Sequence, residues 1–344
     1  MTLIVEKPGL LATVQDLGRP GLRALGVPTC GAMDTYALRA ANALVGNPPD
    51  AAALELTLGG SAFIAGGELL AAVCGADLTA TLDGEPLPLW RPVLLPRGSR
   101  LAFGGAAAGC RAYVAVAGGF AVPPALGSRA TDVRAAIGGF AGRPLAAGDT
   151  LPCGAACAPA AAAWAAAWLA ALQRSRAAAP DRRKPAAAPW FLPPQAYGGY
   201  TAAGIVLRAM PGPAFGQLEE AARTALFAEP FRAAPASDRM GVRLSGPMLA
   251  SGGRAEMLSH GVLPGAVQLP AGGRPIVLGA DGQTTGGYPV IAHVASVDLP
   301  LLGQIKPGDT VRFERIELAA AHRLLAEAEA GLRQAAAAIR LRLP

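Results

Sequence analysis

Short apolar runs bounded by glycine and proline dominate the hydrophobic pattern of the chain. Leu69–Val73 and Arg274–Leu278 are two such runs, and apolar runs of this length between turn residues are typical of buried β-strands. In Gly98–Phe103 and Gly308–Phe313 a turn pair leads into an alternating apolar and polar segment, which indicates a strand that begins after a tight turn. The pattern therefore predicts a mainly β fold built from short strands, as two small closed or half-closed barrels with accessory helices.

Helical periodicity appears in three places. Asp34 can N-cap a helix that runs through Val45 and stops at Gly46, and a second helix is predicted over Gln217–Ala228, ahead of Pro230. The tail from Glu317 to Leu343 has an apolar residue every seven positions, which predicts a long helix with one narrow apolar seam. We expect this seam to pack on the chain's own barrel, with a partner subunit as the alternative.

The chain also matches itself at an offset of about 200 residues, and the matching segments occur in the same order in both halves. An internal duplication explains this order, whereas coincidence in a sequence rich in alanine and glycine is the alternative. The matched pairs are Ile4–Gly9 with Leu207–Gly212, Met33–Asp34 with Ser237–Asp238, Glu55 with Glu256, Val73–Asp77 with Val277–Asp281, and Arg97–Phe103 with Pro307–Phe313.

The duplication predicts two related β-barrel domains with accessory helices. The first covers residues 1–153, with an insertion at about 104–152, and the second covers residues 204–316. Between them lies a linker rich in alanine, proline and arginine at residues 154–203. The C-terminal helix takes residues 317–344.

Composition narrows the function classes. Gly 44 and Pro 31 fit an architecture of many turns, and the net charge of +6 first suggests a nucleic-acid partner. Most of that charge falls in one segment, Gln173–Trp190, and aromatic residues make up only 5%, so a base-stacking surface is not indicated. The uncharged stretch Ala155–Leu172 is mostly alanine with Pro159 inside it, which argues against a membrane span. We expect no nucleic acid, no membrane and a cytoplasmic protein.

The five cysteines are scattered and odd in number, and no secretory leader is apparent at the N-terminus. We therefore expect free thiols in a reducing compartment. Cys153 and Cys157 lack a second paired cluster, and the three histidines are far apart in the sequence, so no metal site is predicted.

The familiar catalytic motifs are absent, and dense polar blocks among glycines carry the candidate chemistry. The strongest block is Asp281–Pro289, where a carboxylate, an amide, two hydroxyls and a phenol lie beside two glycines. Such a loop can bind a carboxylate or stabilise charge on a carbonyl oxygen, or it can be a hairpin whose polar side chains satisfy the turn. The second block, Ser237–Gly241, holds an Asp-Arg pair that is either part of a site or a surface ion pair.

Two further features offer weaker candidates. The block Thr13–Gly21, followed by Gly31–Asp34, again places polar residues on turns. These residues either belong to a site or stabilise the turns themselves. His260 is either an acid or base near neutral pH or a structural histidine.

Taken in order, these blocks resemble the family called allophanate hydrolase subunit 2, also described as biotin-dependent carboxyltransferase-like and, in bacteria, as the C-type subunit of 5-oxoprolinase. The resemblance spans nearly the whole chain apart from the linker and the tail. The segments that carry it are Pro8–Gly21, Gly26–Asp34, Ala41–Gly60, Tyr113–Phe120, Leu126–Asp132, Ser237–Pro247 and Asp281–Val294.

The resemblance implies tandem cyclophilin-like β-barrels and a function with partners, the companion B and A subunits. It implies an ATP-dependent 5-oxoprolinase that hydrolyses 5-oxo-L-proline to L-glutamate, with ATP consumed by the complex. A carboxyltransferase-type subunit acting on a urea-like amide, and a non-catalytic regulatory subunit that binds a kinase inhibitor, are the alternatives. None of Lys7, Lys184 and Lys306 is flanked by methionine, so we expect no covalent biotin on this chain.

The matched blocks supply the predicted site residues. The predicted catalytic residues are Asp281, Thr284, Thr285 and Asp238. The predicted substrate-binding residues are Gln283, Tyr288, Arg239, Gln15, Asp16, Arg19 and Asp34.

Overall fold

The structure, a computed structural model, describes residues 1–154, 158–179, 181, 183–193, 204–252 and 257–344. Within these residues the chain divides into two units that are not consecutive in sequence. Unit 1 takes Met1–Gly18, Thr35–Tyr200 and Ala330–Pro344, and unit 2 takes Arg19–Asp34 and Thr201–Glu329. The predicted boundaries assign residues 19–34 to the first domain, whereas in the structure this segment lies in unit 2.

Unit 1 is built on two antiparallel sheets with two helices. The six-stranded sheet has the order β11-β1-β4-β9-β6-β7 and the five-stranded sheet has the order β2-β3-β10-β5-β8. The elements are β1 (Thr2–Pro8), β2 (Leu11–Gln15), α1 (Thr35–Leu44), β3 (Ala53–Thr57), β4 (Ser61–Ala65), β5 (Leu69–Asp77), β6 (Thr81–Leu82), β7 (Glu85–Pro86), β8 (Val93–Leu95), β9 (Arg100–Ala102), β10 (Ala108–Val116), β11 (Thr150–Pro152) and α2 (Pro159–Ala178).

Apolar side chains from both sheets share one core in unit 1. Leu3 and Phe63 of the six-stranded sheet and Leu54, Val73 and Val114 of the five-stranded sheet are all fully or almost fully buried in it. The hydrophobic effect drives this burial at about 25 cal/mol per Å² of apolar surface. Helix α1 contacts β5 and β10, the two central strands of the five-stranded sheet.

The segment predicted as a linker contains a twenty-residue helix. Alanine has the highest intrinsic helix propensity, and Pro159 occupies the first turn, where its missing N–H costs nothing. Trp168 and Leu172 bury one side of α2, which contacts β5 and β8. The indole N–H groups of Trp164 and Trp168 both donate to the carbonyl oxygen of Arg342, at 2.9 and 3.1 Å.

Unit 2 is a closed barrel with the strand order β12-β19-β16-β17-β14-β13-β20, in which β12 and β20 run parallel, and with a separate two-stranded ribbon, β15-β18. The elements are β12 (Ile205–Pro211), α3 (Glu220–Ala228), β13 (Phe231–Ala233), β14 (Gly241–Ser245), β15 (His260–Gly261), β16 (Ala266–Gln268), β17 (Ile276–Leu278), β18 (Thr285–Gly286), β19 (Val290–Val294), α4 (Leu299–Leu302) and β20 (Thr310–Arg315). The last helix, α5 (Leu318–Arg340), begins in unit 2, and its residues from Ala330 onward belong to unit 1.

The barrel interior is apolar and aromatic. Leu207, Val267 and Val311 are fully buried there, and the rings of Phe231 and Phe313 pack edge to face with centroids 5.8 Å apart. The mainly β architecture with few helices is therefore confirmed. Unit 2 closes into a barrel, whereas unit 1 consists of two open sheets.

The strands agree with the predicted duplication at the start of each half and differ from it later. β1 and β12 begin three residues before Val5 and Arg208, and they correspond residue for residue in the matched segments. After Asp34 the chain forms helix α1, but after Asp238 it forms strand β14. Helix α1 therefore has no counterpart at the matching position of the second half.

The predicted helices are confirmed with small shifts at their ends. The second predicted helix is a 3-10 turn at Phe215–Gln217 followed by α3, and the C-terminal helix is α5. Of its heptad positions, Leu332 and Ile339 are buried and Leu318 is exposed. None of the helices in the described part of the chain is long and apolar enough to cross a membrane.

Candidate functional site

The block around Cys30 lies in unit 2, against the turn that precedes the Asp281 loop. The amide of Cys30 donates to the carbonyl of Ala280 at 3.1 Å, and the amide of Ala280 lies 3.4 Å from the sulfur of Met33. Two polar blocks that are about 250 residues apart in the sequence therefore meet in one place.

Arg239 joins these two blocks. Its guanidinium donates from Nε and Nη2 to the two carboxylate oxygens of Asp281, at 2.8 and 2.7 Å, and Nη2 also donates to the carbonyl of Gly31 at 2.7 Å. The two side chains are only 6% and 11% exposed. A buried bidentate pair of this kind has a fixed geometry, so it positions the loop that follows Asp281.

Asp34 lies in a second buried contact of the same unit. The side-chain amide of Gln304 donates to Oδ2 of Asp34 at 2.7 Å, and both residues are buried. The backbone of Gly303 lies so close to Met33 that a Cβ atom there would be 2.4 Å from the Met33 carbonyl oxygen. Only glycine allows this approach, which brings Gln304 to Asp34.

The residues after Asp281 form a loop that includes one strand of the two-stranded ribbon. In the ribbon, His260 pairs with Gly286 and Gly261 pairs with Thr285. The side chains of Gln283 and Thr285 are exposed, and Tyr288 is 37% exposed. Thr284 is half-buried, and its carbonyl accepts a hydrogen bond from the amide of Val262 at 3.0 Å. The loop thus presents an amide, a hydroxyl and a phenol to solvent on an ordered backbone.

Arg23 ties the two sides of this ribbon together. Its Nη2 donates to the carbonyl of Val262 at 2.6 Å and to the carbonyl of Gln283 at 2.8 Å, while its Nη1 is buried without an acceptor. Desolvation by burial lowers the pKa of the Arg23 guanidinium from its ordinary value. A partly buried cation bonded to neutral carbonyls gives the base of the loop a positive potential.

Two further polar atoms at the base of the loop have no partner in the described structure. Nε2 of Gln268 is buried. A Cβ atom at position 286 would lie 2.4 Å from this nitrogen and 2.9 Å from Nε2 of Gln283. Two side-chain amides therefore converge on the Cα of Gly286. Nδ1 of His260, on the adjacent strand, is the other buried atom. Unsatisfied buried polar groups are uncommon and are found preferentially where a ligand or water binds.

Asp238 serves a turn. Its Oδ1 accepts hydrogen bonds from the amides of Met240 and Gly241 at 2.8 and 3.2 Å, and the residue is exposed. It forms no ion pair with its neighbour Arg239, whose guanidinium is directed to Asp281. These contacts are those of a side chain that stabilises a turn, and they give no surface ion pair between Asp238 and Arg239.

Gln15 and Asp16 lie in unit 1. Asp16 is buried and accepts hydrogen bonds from the amide of Gly18 at 2.7 Å, from the hydroxyl of Ser128 at 2.6 Å and from the amide of Arg129. Gln15 donates to the hydroxyl of Thr13 at 3.0 Å and to the carbonyl of Thr131 at 3.2 Å. The two residues thus join the first polar block to the block Leu126–Asp132.

Arg19, the remaining predicted residue, is buried in unit 2, where its amide donates to the carbonyl of Thr29 at 2.8 Å. Unit 2 thus contains nine of the eleven predicted residues, and unit 1 contains Gln15 and Asp16. Their roles in binding or catalysis stay predictions.

Three residues of this region were missed from the sequence: Arg23, Gln268 and Gln304. Gln268 interrupts the apolar run Val267–Pro270, which is a weak sign of a buried polar side chain. Arg23 and Gln304 carry no comparable sign, because their contacts depend on how the chain folds back on itself.

The remaining titratable groups do not form a metal centre. Among the described residues, no three or more His, Cys, Asp or Glu side chains gather into a group that could hold a metal ion. Cys30, Cys74, Cys110 and Cys153 are buried thiols outside any disulfide, whereas Cys157 lies outside the described residues. Burial raises the pKa of the Cys153 thiol to about 12, so this thiol is protonated at neutral pH.

The fold and these blocks are those of a carboxyltransferase-type domain. The family model for the carboxyltransferase domain, subdomain A and B, matches residues 25–315, and the chain belongs to this family.

The similar proteins fall into two groups. The chain is 38% identical to the C-type subunit of 5-oxoprolinase from Escherichia coli (strain K12) over 318 residues, which is 92% of each chain. It is 36% identical to the C-type subunit of 5-oxoprolinase from Haemophilus influenzae over 313 residues, 91% of each chain. The crystal structure of K. lactis urea amidolyase superposes on 96% of this chain with a TM-score of 0.82 at 28% identity, and the chain spans 20% of that protein's length.

Proposed function

We propose that this chain is the C-type subunit of an ATP-dependent 5-oxoprolinase, which opens 5-oxo-L-proline to L-glutamate together with companion B and A subunits. The observation that carries the proposal is the match to the C-type 5-oxoprolinase subunit of E. coli over 92% of both chains. This match covers nearly the whole of a stand-alone subunit, whereas the urea amidolyase match covers one fifth of a much larger chain.

In this proposal the Asp281 loop contacts the lactam. The exposed hydroxyl of Thr285, the amide of Gln283 and the phenol of Tyr288 are donors placed to stabilise negative charge on the carbonyl oxygen as the amide is attacked. Thr284 extends this set of hydroxyls. Asp281 and Arg239 act as positioning residues, because each is fully engaged in the buried pair that holds the loop.

ATP supplies the activation of the lactam carbonyl in the complex, by phosphorylation. The chain has no glycine-rich phosphate loop ending in Lys-Ser or Lys-Thr, so we assign no nucleotide contact to the Asp281 loop. The chemistry asked of this chain is to bind and orient the lactam while water attacks its phosphorylated carbonyl carbon, after which the ring C–N bond breaks and glutamate and phosphate leave.

The surroundings of the loop support a shared site. Leu25, Leu258 and Leu263 are large apolar side chains that are more than half exposed, and Met257 and Tyr288 are partly exposed beside them in the same unit. Two contacts join their segments to the loop: the Arg23 side chain donates to the carbonyls of Val262 and Gln283, and the amide of Met257 donates to the carbonyl of Gly287 at 3.0 Å. Apolar side chains that remain exposed around polar donors are typical of a surface that a partner protein covers. We propose that the companion B subunit packs here and closes the site.

The test is to co-express the chain with its B and A partners and to measure glutamate release from 5-oxoproline in the presence of ATP. Activity that requires all three subunits is expected. Full activity without this chain would refute the proposal and favour a regulatory subunit.

Site variants test the loop separately. Thr285→Val and Tyr288→Phe each remove one hydroxyl and keep the shape, so a loss of kcat is expected if these groups stabilise charge in the transition state. Thr310→Val is a matched control, because Thr310 is a half-buried barrel threonine far along the chain from the loop. Full activity of the Asp281→Ala, Thr285→Ala double variant would retire the proposed site and leave the proposed function standing.

The urea amidolyase likeness favours one second candidate, transfer of a carboxyl group to a urea-like amide. The same complex can be offered urea with a biotinylated carrier protein that a separate biotin carboxylase charges from bicarbonate and ATP. Consumption of urea without any turnover of 5-oxoproline would favour this candidate.

A further inference from the structure

A half-enclosed cavity lies in unit 1, and none of its lining residues is one assigned above to the candidate site. Its volume is about 310 Å³, which is room for about ten water molecules. Helix α1 and the loop after it form one wall, and the last turns of α5 form the other. The lining residues are Arg39, Ala43, Asn47, Pro49, Leu332, Arg333, Ala336, Ala337 and Arg340.

The charge of this lining is one-sided. Three arginines line the cavity and no acidic residue does. Arg39 is half-buried, and Arg333 and Arg340 are exposed. Within the described part of the chain, the side chains of Arg333 and Arg340 form neither a hydrogen bond nor an ion pair. These two like charges beside one space repel each other, so an anion inside it would offset that repulsion.

The floor of the cavity is rigid and apolar. Leu332 is almost fully buried, and alanines at positions 43, 336 and 337 leave the space open because their side chains end at Cβ. Asn47 is held by hydrogen bonds to Asn42 and to the carbonyl of Val116, at 3.0 and 2.8 Å. The arginines can therefore close around a ligand while the base of the cavity stays in place.

The chemistry of the lining selects the ligand. Guanidinium groups pair with phosphate oxygens through two parallel hydrogen bonds, and several of them suit a group with several negative oxygens. The cavity is larger than one phosphate group requires, and none of its lining residues is aromatic, so it offers no surface for stacking a base. We propose that this cavity binds a polyphosphate group, either free pyrophosphate or the phosphate chain of a nucleotide.

This inference does not depend on the proposed function, since the cavity shares no residue with the Asp281 loop. The test measures binding of pyrophosphate, ATP, AMP and citrate to the purified full chain by isothermal titration calorimetry, at low and moderate salt. Three forms are compared: the native chain, the double variant Arg333→Ala, Arg340→Ala, and the control Arg323→Ala. Arg323 is an exposed arginine of the same helix that pairs with Glu327 and does not line the cavity.

The native chain and the control are expected to bind pyrophosphate and ATP more tightly than AMP. The double variant is expected to bind them at least about tenfold more weakly for each arginine removed, because each lost charge-assisted hydrogen bond corresponds to roughly a factor of ten. Binding should weaken as salt is raised.

Tight binding of ATP without binding of pyrophosphate would show that the nucleoside is needed and would contradict recognition of the phosphate chain alone. Equal binding of citrate and pyrophosphate would overturn the phosphate assignment in favour of a general anion site. Absence of binding at millimolar pyrophosphate, or equal binding by the native chain and the double variant, would refute the cavity as a ligand site. A thermal melt of each variant shows that it is folded, and both variants are expected to fold because the replaced side chains are exposed.

Discussion

Removing Arg239 is expected to loosen the candidate site selectively. In Arg239→Ala, the carboxylate of Asp281 keeps its burial but loses both donors, and the carbonyl of Gly31 loses one. Breaking a buried ion pair by removing one partner costs about 3–5 kcal/mol, because the remaining charge is left without compensation. Most of this cost should appear where Gly31 and Asp281 meet.

The assay must report on unit 2. All four tryptophans lie in unit 1, so tryptophan fluorescence would not detect the loss. Hydrogen exchange followed by mass spectrometry can follow the amides of Asp281 and Gly282, which donate to the carbonyls of Arg239 and Gly279 at 3.1 Å. A loss of about 3 kcal/mol or more predicts exchange at least roughly a hundredfold faster at these amides.

Arg100→Ala is the matched control. Arg100 donates from Nε to Glu6 at 2.6 Å, but both side chains are about 40% exposed, so the pair is worth at most about 1 kcal/mol. The double variant Arg239→Met, Asp281→Leu should recover part of the lost protection, because it leaves no buried charge. If exchange in Arg239→Ala is accelerated no more than in Arg100→Ala, the pair does not hold the loop.

Three further predictions concern unit 1. Asp16→Ala removes the acceptor of three hydrogen bonds and should lower the free energy of unfolding by about 2–4 kcal/mol, whereas Asp16→Asn should cost less, as thermal melts can measure. The Cys153 thiol has a folded-state pKa of about 12 against an ordinary 9.0, so its contribution to the free energy of unfolding is constant below pH 9 and is lost as the pH rises from 9 towards 12. Cys153→Ala should therefore abolish that part of the alkaline destabilisation. An unchanged dependence of stability on pH in this variant would contradict the raised pKa. Deleting residues 342–344 removes the carbonyl oxygen that accepts hydrogen bonds from both Trp164 and Trp168. This deletion should red-shift tryptophan emission and destabilise unit 1 by about 1–2 kcal/mol. An unchanged emission spectrum would show that the tail does not hold α2.

Local pattern is enough to predict several elements of this fold. Apolar runs between glycines predict β5 and β17 because a strand buried on both faces needs little else, and the seven-residue repeat of Leu332 and Ile339 predicts α5. The alanine-rich segment has the composition of a linker, but the helix propensity of alanine and the burial of Trp168 produce helix α2 instead.

The assembly of the site cannot be predicted from local pattern. The position of Asp34 after the first polar block predicts that it belongs to the first domain, but Gln304 and the backbone at Gly303 hold its segment in unit 2. The pairing of Arg239 with Asp281, rather than of Asp238 with Arg239, depends on contacts between residues 42 positions apart. The polar character of the Asp281 loop is visible in the sequence, whereas the unpartnered Gln268 beneath it is not.

The most direct test of the proposed function is the number of glutamate molecules released per ATP hydrolysed by the complex, measured with and without this chain. The proposed function predicts coupled release, one glutamate for each ATP, only when the chain is present, and a loss of glutamate release in the complex that carries Thr285→Val. Coupled release of glutamate by the B and A subunits alone, at the same rate, would contradict it.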